Sequence, residues 1–163
     1  MNDVFINKLK DILDARCSLN KSLNSNYSKG EDVYDPVTPL AVVFPINNEE
    51  ISQIIKICRD FNKPIVPYGA GSSLEGNVVA NEKGITISLE KMNRVLEINS
   101  SDFDCRVQAG ITRKNLNEEL RDKGVFFPID PGADASIGGM ASTSASGTMA
   151  VKYGTMKSIV TGL

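Results

Sequence analysis

The sequence contains no histidine and no tryptophan, and it has little excess charge of either sign. Its 18 basic and 20 acidic side chains give a formal net charge of −2, which provides no basic field for nucleic acid or an anionic membrane. The 3 cysteines lie far apart, at positions 17, 58 and 105, which argues against a disulfide framework or a zinc site. We therefore expect reduced thiols, a cytoplasmic compartment and no metal centre.

Long apolar runs are also missing, and no stretch has the length of a transmembrane helix. Near the amino terminus, Phe5, Leu9 and Ile12 recur at helical spacing among acids and lysines. This pattern predicts a helix on the domain surface rather than a signal peptide. We expect any attachment to the inner membrane to be made through partner proteins.

Residues 18–38 are rich in serine, asparagine, lysine and aspartate and show no periodicity. We expect them to form a loose arm between the first helix and the rest of the chain. The sequence is accordingly divided into a helix and arm, residues 1–38, and a main domain, residues 39–163.

The main domain has the alternating patterns of an α+β fold with a mixed β-sheet and flanking helices. In the segment 85–89, apolar and polar residues alternate, which predicts a strand with one buried face. The strands are predicted at 39–44, 64–66, 85–89, 95–98 and 103–107.

Two helices have clear start signals. Asn47 precedes a helix, and Glu50 stands at the position of a capping box. The apolar face of this helix is expected to carry Ile51, Ile54, Ile55 and Cys58. Thr112 is the expected N-cap of the second helix, with Ile111 and Leu116 packed around it and Gly124 ending it.

A glycine-rich loop, PYGAGSSLEG, follows the strand at 64–66 and occupies residues 67–76. Glycines at 69 and 71 permit positive φ and leave room for N–H groups to converge on a phosphate or diphosphate, with two serine hydroxyls beside them. A Walker loop is excluded because Asn77 and Val78 replace its Lys and Ser/Thr, and a Rossmann turn is disfavoured because Leu74 replaces its third glycine. The alternative is a tight turn whose glycines serve only the backbone.

A second segment, residues 131–154, consists mainly of glycine, alanine, serine and threonine, with Asp134 and Lys152 as its only charges. Bulky residues such as Met140 and Tyr153 are interspersed, which favours backbone packed around a flat ligand over a flexible linker. Asp130 and Asp134 are interpreted as loop-ordering or capping residues rather than an acid/base or metal pair. No catalytic residue is assigned.

Together with Gln108-Ala109-Gly110, these two segments closely resemble the FAD-linked oxidases that have a PCMH-type FAD-binding domain. The resemblance is to the amino-terminal part of the D-lactate dehydrogenase and glycolate oxidase FAD-subunit group. It implies a flavin-dependent oxidoreductase acting on 2-hydroxy acids, with the carboxy-terminal part of the FAD domain and the substrate cap outside this sequence. The diphosphate contacts that it implies are Tyr68, Gly69, Ala70, Gly71, Ser72, Ser73 and Gly76. The FAD wall that it implies is Pro131, Gly132, Ser136, Gly138, Gly139, Thr143, Ala145, Ser146 and Gly147.

The sequence also departs from that family. Ser144 and Met149 stand where close relatives are expected to have arginine and asparagine, so polar anchors are lost there. The loops offer no histidine or suitably placed cysteine, and we expect FAD to bind noncovalently and weakly. Three hypotheses remain. The first is the amino-terminal FAD-binding part of a 2-hydroxy-acid dehydrogenase, inactive alone. The second is a FAD or nucleotide-binding module without turnover, acting alone or completed by a separate chain, and the third is a degenerate remnant that binds nothing.

Overall fold

The computed structural model describes residues 2–163, which divide into two compact units. The first unit ends at Lys91 and the second is Met92–Leu163. The first contains a mixed four-stranded sheet with helices, and the second contains a two-stranded sheet with short helices. The predicted α+β class, with a mixed sheet and flanking helices, is confirmed.

The sheet of the first unit contains β1 (Cys17–Ser18), β2 (Ala41–Val43), β3 (Ile65–Tyr68) and β4 (Ile85–Ser88). Its order is β1-β2-β4-β3, with β1 antiparallel to β2 and the other neighbours parallel. β3 is therefore an edge strand. It can hold Pro67, which has no N–H, because an edge position needs no donor on its open side.

The central strand β4 differs from its expected one-sided burial. Thr86 and Ser88 are fully buried, as are Ile85 and Ile87 on the other face of the strand. The prediction of one buried face was wrong because β4 lies between two parallel neighbours and is covered on both faces. The Thr86 hydroxyl has no hydrogen-bond partner within residues 2–163.

The α-helices described in residues 2–91 are α1 (Asn2–Leu13), α2 (Lys21–Ser25) and α3 (Asn48–Asp60). The helix predicted near the amino terminus is present, and its apolar face is buried in the core of the first unit. Phe5 and Leu9 are fully buried, in one cluster with Ile54 and Cys58 of α3.

The predicted start of α3 is confirmed in detail. The Asn47 side chain accepts a hydrogen bond from the Glu50 N–H at 2.8 Å. Glu50 in turn accepts from the Ile46 N–H at 2.9 Å and pairs with Arg16, which lowers the pKa of its carboxyl. One expected core position was wrong, since Ile55 is 47% exposed.

The segment 18–38 is more ordered than the expected loose arm. Ser18 pairs with β2, and the Asn20 side chain caps α2 by accepting from the Ser22 N–H at 2.9 Å. Short polar side chains stabilise these turns through local hydrogen bonds. Such turns need no periodic apolar residues, so the sequence pattern did not indicate them. The division of the chain at residue 38 stays a prediction.

The second unit begins with an antiparallel hairpin of β5 (Val95–Asn99) and β6 (Asp104–Val107). Helix α4 (Arg113–Leu120) follows, and the Thr112 hydroxyl caps it by accepting from the Asn115 N–H. Gly124 ends this region at a φ of +71°, as expected. The short helices α5 (Ile137–Ser142), α6 (Ala150–Tyr153) and α7 (Met156–Ile159) complete the unit.

Candidate functional site

The glycine loop directly follows β3 in the first unit. Positive φ occurs at Gly71 and Gly76, both at +71°, rather than at Gly69 and Gly71 as expected. Within residues 2–163, the consecutive N–H groups of 69–73 donate no hydrogen bond to a protein acceptor. A run of free backbone donors around a left-handed glycine is the arrangement that binds anions. The loop therefore fits a diphosphate.

Tyr68 has a role that its motif did not reveal. Its hydroxyl donates to the backbone oxygen of Lys29 at 3.2 Å, and its ring meets the edge of Tyr27 with centroids 5.1 Å apart. Burial, followed by the charges of Glu31 and Asp32, raises the pKa of the Tyr68 hydroxyl. This side chain ties the end of β3 to the segment before β2.

That segment, Tyr27 to Tyr34, packs against the glycine loop, and we call it the loop support. The Glu31 N–H donates to the Gly71 oxygen at 3.1 Å. A Cβ at Gly30 would lie 2.7 Å from the same oxygen, and a Cβ at Gly76 would lie 2.5 Å from the Tyr34 ring. Sequence reasoning missed these residues because the contacts join positions more than 30 apart in the chain.

The loop support is shaped by one buried carboxylate. Asp32 accepts hydrogen bonds from the N–H groups of Gly30 at 3.0 Å and Tyr34 at 3.1 Å. An aspartate that accepts from nearby backbone N–H groups is a local turn signal. Together with the glycine two residues earlier, it is the signal by which the sequence could have revealed this turn.

Tyr27 anchors the other end of the loop support. Its hydroxyl donates to Glu90 at 2.8 Å, and its ring also meets Phe44. Burial first, and then the hydrogen bond to Glu90, raises the pKa of Tyr27 to about 12.

In the second unit, the small-residue segment is held against the motif Gln108-Ala109-Gly110. The Gly138 N–H donates to the Ala109 oxygen at 2.8 Å, and a Cβ at Gly138 would lie 2.7 Å from the Ala109 side chain. Ser136 is buried and caps α5 by accepting from the Gly139 N–H. These residues are small because two backbone segments approach closely here.

Pro131 and Gly132 form an exposed turn with Gly132 at a φ of +92°. The Asp130 carboxylate orders this turn by accepting from the Gly132 N–H at 3.0 Å. Asp134 accepts from the Lys114 N–H at 3.0 Å, at the start of α4. The interpretation of the two aspartates as loop-ordering and capping residues is confirmed.

The remaining wall residues surround the end of α5. The Thr143 hydroxyl donates to the Gly139 oxygen at 3.0 Å, and the Ala145 oxygen accepts from the Met156 N–H at 3.0 Å. Ser144 has a φ of +52°, and Ser146 is exposed.

Gly147 packs where a Cβ would overlap the Asp130 backbone. All of the expected diphosphate contacts lie in the first unit, and all of the expected wall residues lie in the second.

Other cofactor chemistry has few candidates in the part of the chain that the structure describes. Residues 2–163 contain no group of three or more histidine, cysteine or carboxylate residues placed to hold a metal ion. Cys17 and Cys58 are buried, and burial raises the pKa of the Cys58 thiol to about 11. Over the same residues, no helix is long and apolar enough to cross a membrane.

The sequence model of a family described as "FAD binding domain" matches residues 39–163. The chain belongs to this family. The prediction of FAD as the cofactor is thereby confirmed, and the free N–H groups of the glycine loop and the close-packed glycines of the second segment fit such a group.

Two curated relatives support the resemblance to the D-lactate dehydrogenase and glycolate oxidase group. The chain is 47% identical over 150 residues to the probable mitochondrial D-lactate dehydrogenase of Danio rerio, covering 92% of this chain and 30% of the relative. It is 35% identical over 127 residues to glycolate oxidase subunit GlcD of Bacillus subtilis, covering 77% and 27%. The chain thus spans about 30% of the length of the relatives it matches.

Solved structures show the same fold. An alkyldihydroxyacetonephosphate synthase superposes with a TM-score of 0.86 at 24% identity, covering 94% of this chain and 31% of that one. p-Cresol methylhydroxylase with substrate bound superposes with a TM-score of 0.67 at 19% identity, covering 76% and 25%. These likenesses establish the PCMH-type fold.

Proposed function

We propose that this chain binds FAD noncovalently. The contacts that we propose are the glycine loop, for the diphosphate, and the small-residue wall residues of the second unit. The chain supplies the cofactor-binding part of a FAD-dependent oxidoreductase that acts on 2-hydroxy acids. The names of its relatives, D-lactate dehydrogenase and glycolate oxidase, support this substrate class.

One observation carries the proposal. The N–H groups of 69–73 are consecutive, follow the end of β3 and donate to no protein acceptor within residues 2–163. Backbone donors of this kind bind phosphate oxygens without any need for a cationic side chain. They suit a chain whose formal net charge is −2.

The chemistry that FAD supplies when bound is acceptance of a hydride from a substrate carbon. The residues of this chain hold and orient the cofactor. Asp130 and Asp134, the carboxylates next to the wall, already accept backbone hydrogen bonds. We therefore assign cofactor binding to this chain and no catalytic base.

Turnover, in this proposal, requires protein beyond the present sequence, in the same chain or in a separate one. The ground for it is that the chain covers about 30% of its relatives' length. We also propose a cytoplasmic location, because Cys17, Cys58 and Cys105 are all free thiols, as is usual in a reducing compartment.

Ser72→Asp tests the diphosphate site. The new carboxylate would lie among the free N–H groups and repel a diphosphate, and we expect the FAD dissociation constant to rise about tenfold or more. Flavin fluorescence during titration with FAD measures this constant. Ser101→Asp, in the exposed turn of the β5–β6 hairpin, is the matched control and should bind like the unchanged chain.

Two results would speak against the proposal. If the unchanged chain causes no change in flavin fluorescence at any FAD concentration, the proposal that it binds FAD is wrong. Equal FAD affinity in Ser72→Asp and Ser101→Asp would show that the diphosphate does not bind at the glycine loop.

A further inference from the structure

Arg113 is the first residue of α4, and its guanidinium pairs with the Asp130 carboxylate at 3.3 Å. The backbone around it is also fixed. The Arg113 N–H donates to the Ala135 oxygen at 3.0 Å, and the Ile137 N–H donates to the Ile111 oxygen at 2.8 Å. The start of α4 is therefore joined to the segment that contains most of the wall.

Asp130 joins two parts of that wall. One carboxylate oxygen accepts from the Gly132 N–H at 3.0 Å, while the other faces Arg113. Its backbone oxygen accepts from the Thr148 N–H at 3.3 Å, and Gly147 packs directly against it. A shift of Asp130 would therefore move both the 131–132 turn and the 147–148 backbone.

Stability alone does not account for an arginine at this position. The Arg113 and Asp130 side chains are 27% and 31% exposed, and a partly exposed ion pair contributes little to stability. The Arg113 Nε is buried and has no partner within residues 2–163, which is unfavourable. What the guanidinium does achieve is to fix the direction of the Asp130 carboxylate.

We propose that Arg113 is a positioning residue for FAD, which acts by holding Asp130 and, through it, the Gly132 turn and Thr148. The inference rests on the proposed function, because these segments are the proposed wall of the FAD site. Arg113 need not touch the cofactor. Its effect is transmitted by the carboxylate.

The test combines FAD affinity with amide hydrogen exchange. Arg113→Met is expected to raise the FAD dissociation constant about tenfold and to speed exchange at the Gly132 and Thr148 amides by about the same factor. The Leu116 amide, which donates within α4 to the Thr112 oxygen, should exchange at its original rate. A merely structural role would change all three amides together.

A double-mutant cycle tests whether Arg113 acts through Asp130. Asp130→Asn keeps an oxygen for the Gly132 N–H but removes the charge, and we expect it to weaken FAD binding as much as Arg113→Met. The double variant should be no weaker than either single one. Arg113→Lys keeps the positive charge and should keep most of the affinity for FAD. This variant also provides a test if Arg113→Met does not fold. Arg59→Met is the control, since it breaks an exposed ion pair with Asp60 in the other unit.

The outcomes separate the two proposals. If the unchanged chain binds no FAD, the proposed function fails, and the role of Arg113 toward FAD fails with it. If the chain binds FAD and Arg113→Met and Arg59→Met have the same affinity, only the present inference is overturned. Additive losses in the double variant would also overturn it.

Discussion

The ring of Tyr68 fills the space in which a side chain at position 71 would lie. A Cβ built on Gly71 would overlap the Tyr68 hydroxyl and would lie 3.1 Å from a ring carbon. Since Tyr68 is also tied to the Lys29 backbone, it cannot move aside without releasing the loop support. Gly71 is therefore required by the packing of the protein itself.

Gly71→Ala should consequently be more destabilising than the same change at Gly124, because both residues have a φ of +71° but Gly124 has open space around it. We expect Gly124→Ala to lower the free energy of unfolding by about 1–2 kcal/mol through its backbone alone. Gly71→Ala adds the overlap with Tyr68 and should cost about 2–4 kcal/mol. Urea denaturation of each variant against the unchanged chain measures the difference, and equal losses would contradict it.

Tyr27 should make stability depend on alkaline pH. Burial and the Glu90 hydrogen bond raise its pKa from 10.0 to about 12 in the folded chain, so folding favours the neutral phenol. Its contribution is fully present below pH 10 and is lost as the pH rises toward 12. Tyrosinate absorbance should show a late titration step that Tyr27→Phe removes. An unchanged titration curve in that variant would contradict the assignment.

The three thiols should differ in reactivity. Cys17 and Cys58 are buried, whereas Cys105 is half-buried in β6. Burial raises the pKa of all three and lowers their thiolate fractions. We expect a disulfide reagent to modify Cys105 first in the folded chain and all three after denaturation. Cys105→Ser should abolish the early phase, and its persistence would show that a buried thiol is accessible.

Ser144 offers a stabilising substitution. A serine at a φ of +52° is strained, and Ser144→Gly should raise the free energy of unfolding by about 0.5–1 kcal/mol after the greater freedom of glycine in the unfolded chain is counted. Ser146→Gly is the matched control, since Ser146 is exposed and is not among the positive-φ residues of 2–163. It should lower stability. Thermal or urea denaturation decides, and a loss in both variants would contradict the prediction.

The FAD-loaded chain should not oxidise D-lactate or glycolate by itself. The sequence has no histidine, and the carboxylates next to the proposed wall are engaged with backbone N–H groups. We therefore expect these carboxylates to order their loops rather than to take the hydroxyl proton. Anaerobic mixing with either acid should leave the flavin absorbance unchanged. Bleaching would show that this chain contains a base that we have not identified.

Local signals were sufficient for much of the fold. The caps at Asn47 and Thr112 were predictable because a cap depends on residues three positions apart. The glycine loop was predictable for a similar reason, since glycines close together in the sequence permit positive φ without any distant contact. Membership in the FAD binding domain family followed from motifs of the same local kind.

Long-range contacts were not predictable from these patterns. The pairing of Tyr68 with Lys29 joins positions 39 apart, and nothing in either local sequence indicates it. The alternating pattern predicted that Thr86 faces solvent. Alternation shows which side chains share a face of a strand, but it does not show that a second layer covers the polar face. The ion pair of Arg113 with Asp130 was missed because it joins residues from different parts of the chain.

The two edges of the larger sheet bear on how the protein behaves at high concentration. One edge is the two-residue strand β1, and the other is β3, where Pro67 interrupts the row of donors. A short strand and a proline both make poor templates for a strand from a neighbouring molecule. The strand that leads into the glycine loop, β3, therefore also disfavours edge-to-edge aggregation. We expect Pro67→Val to promote such aggregation at this edge.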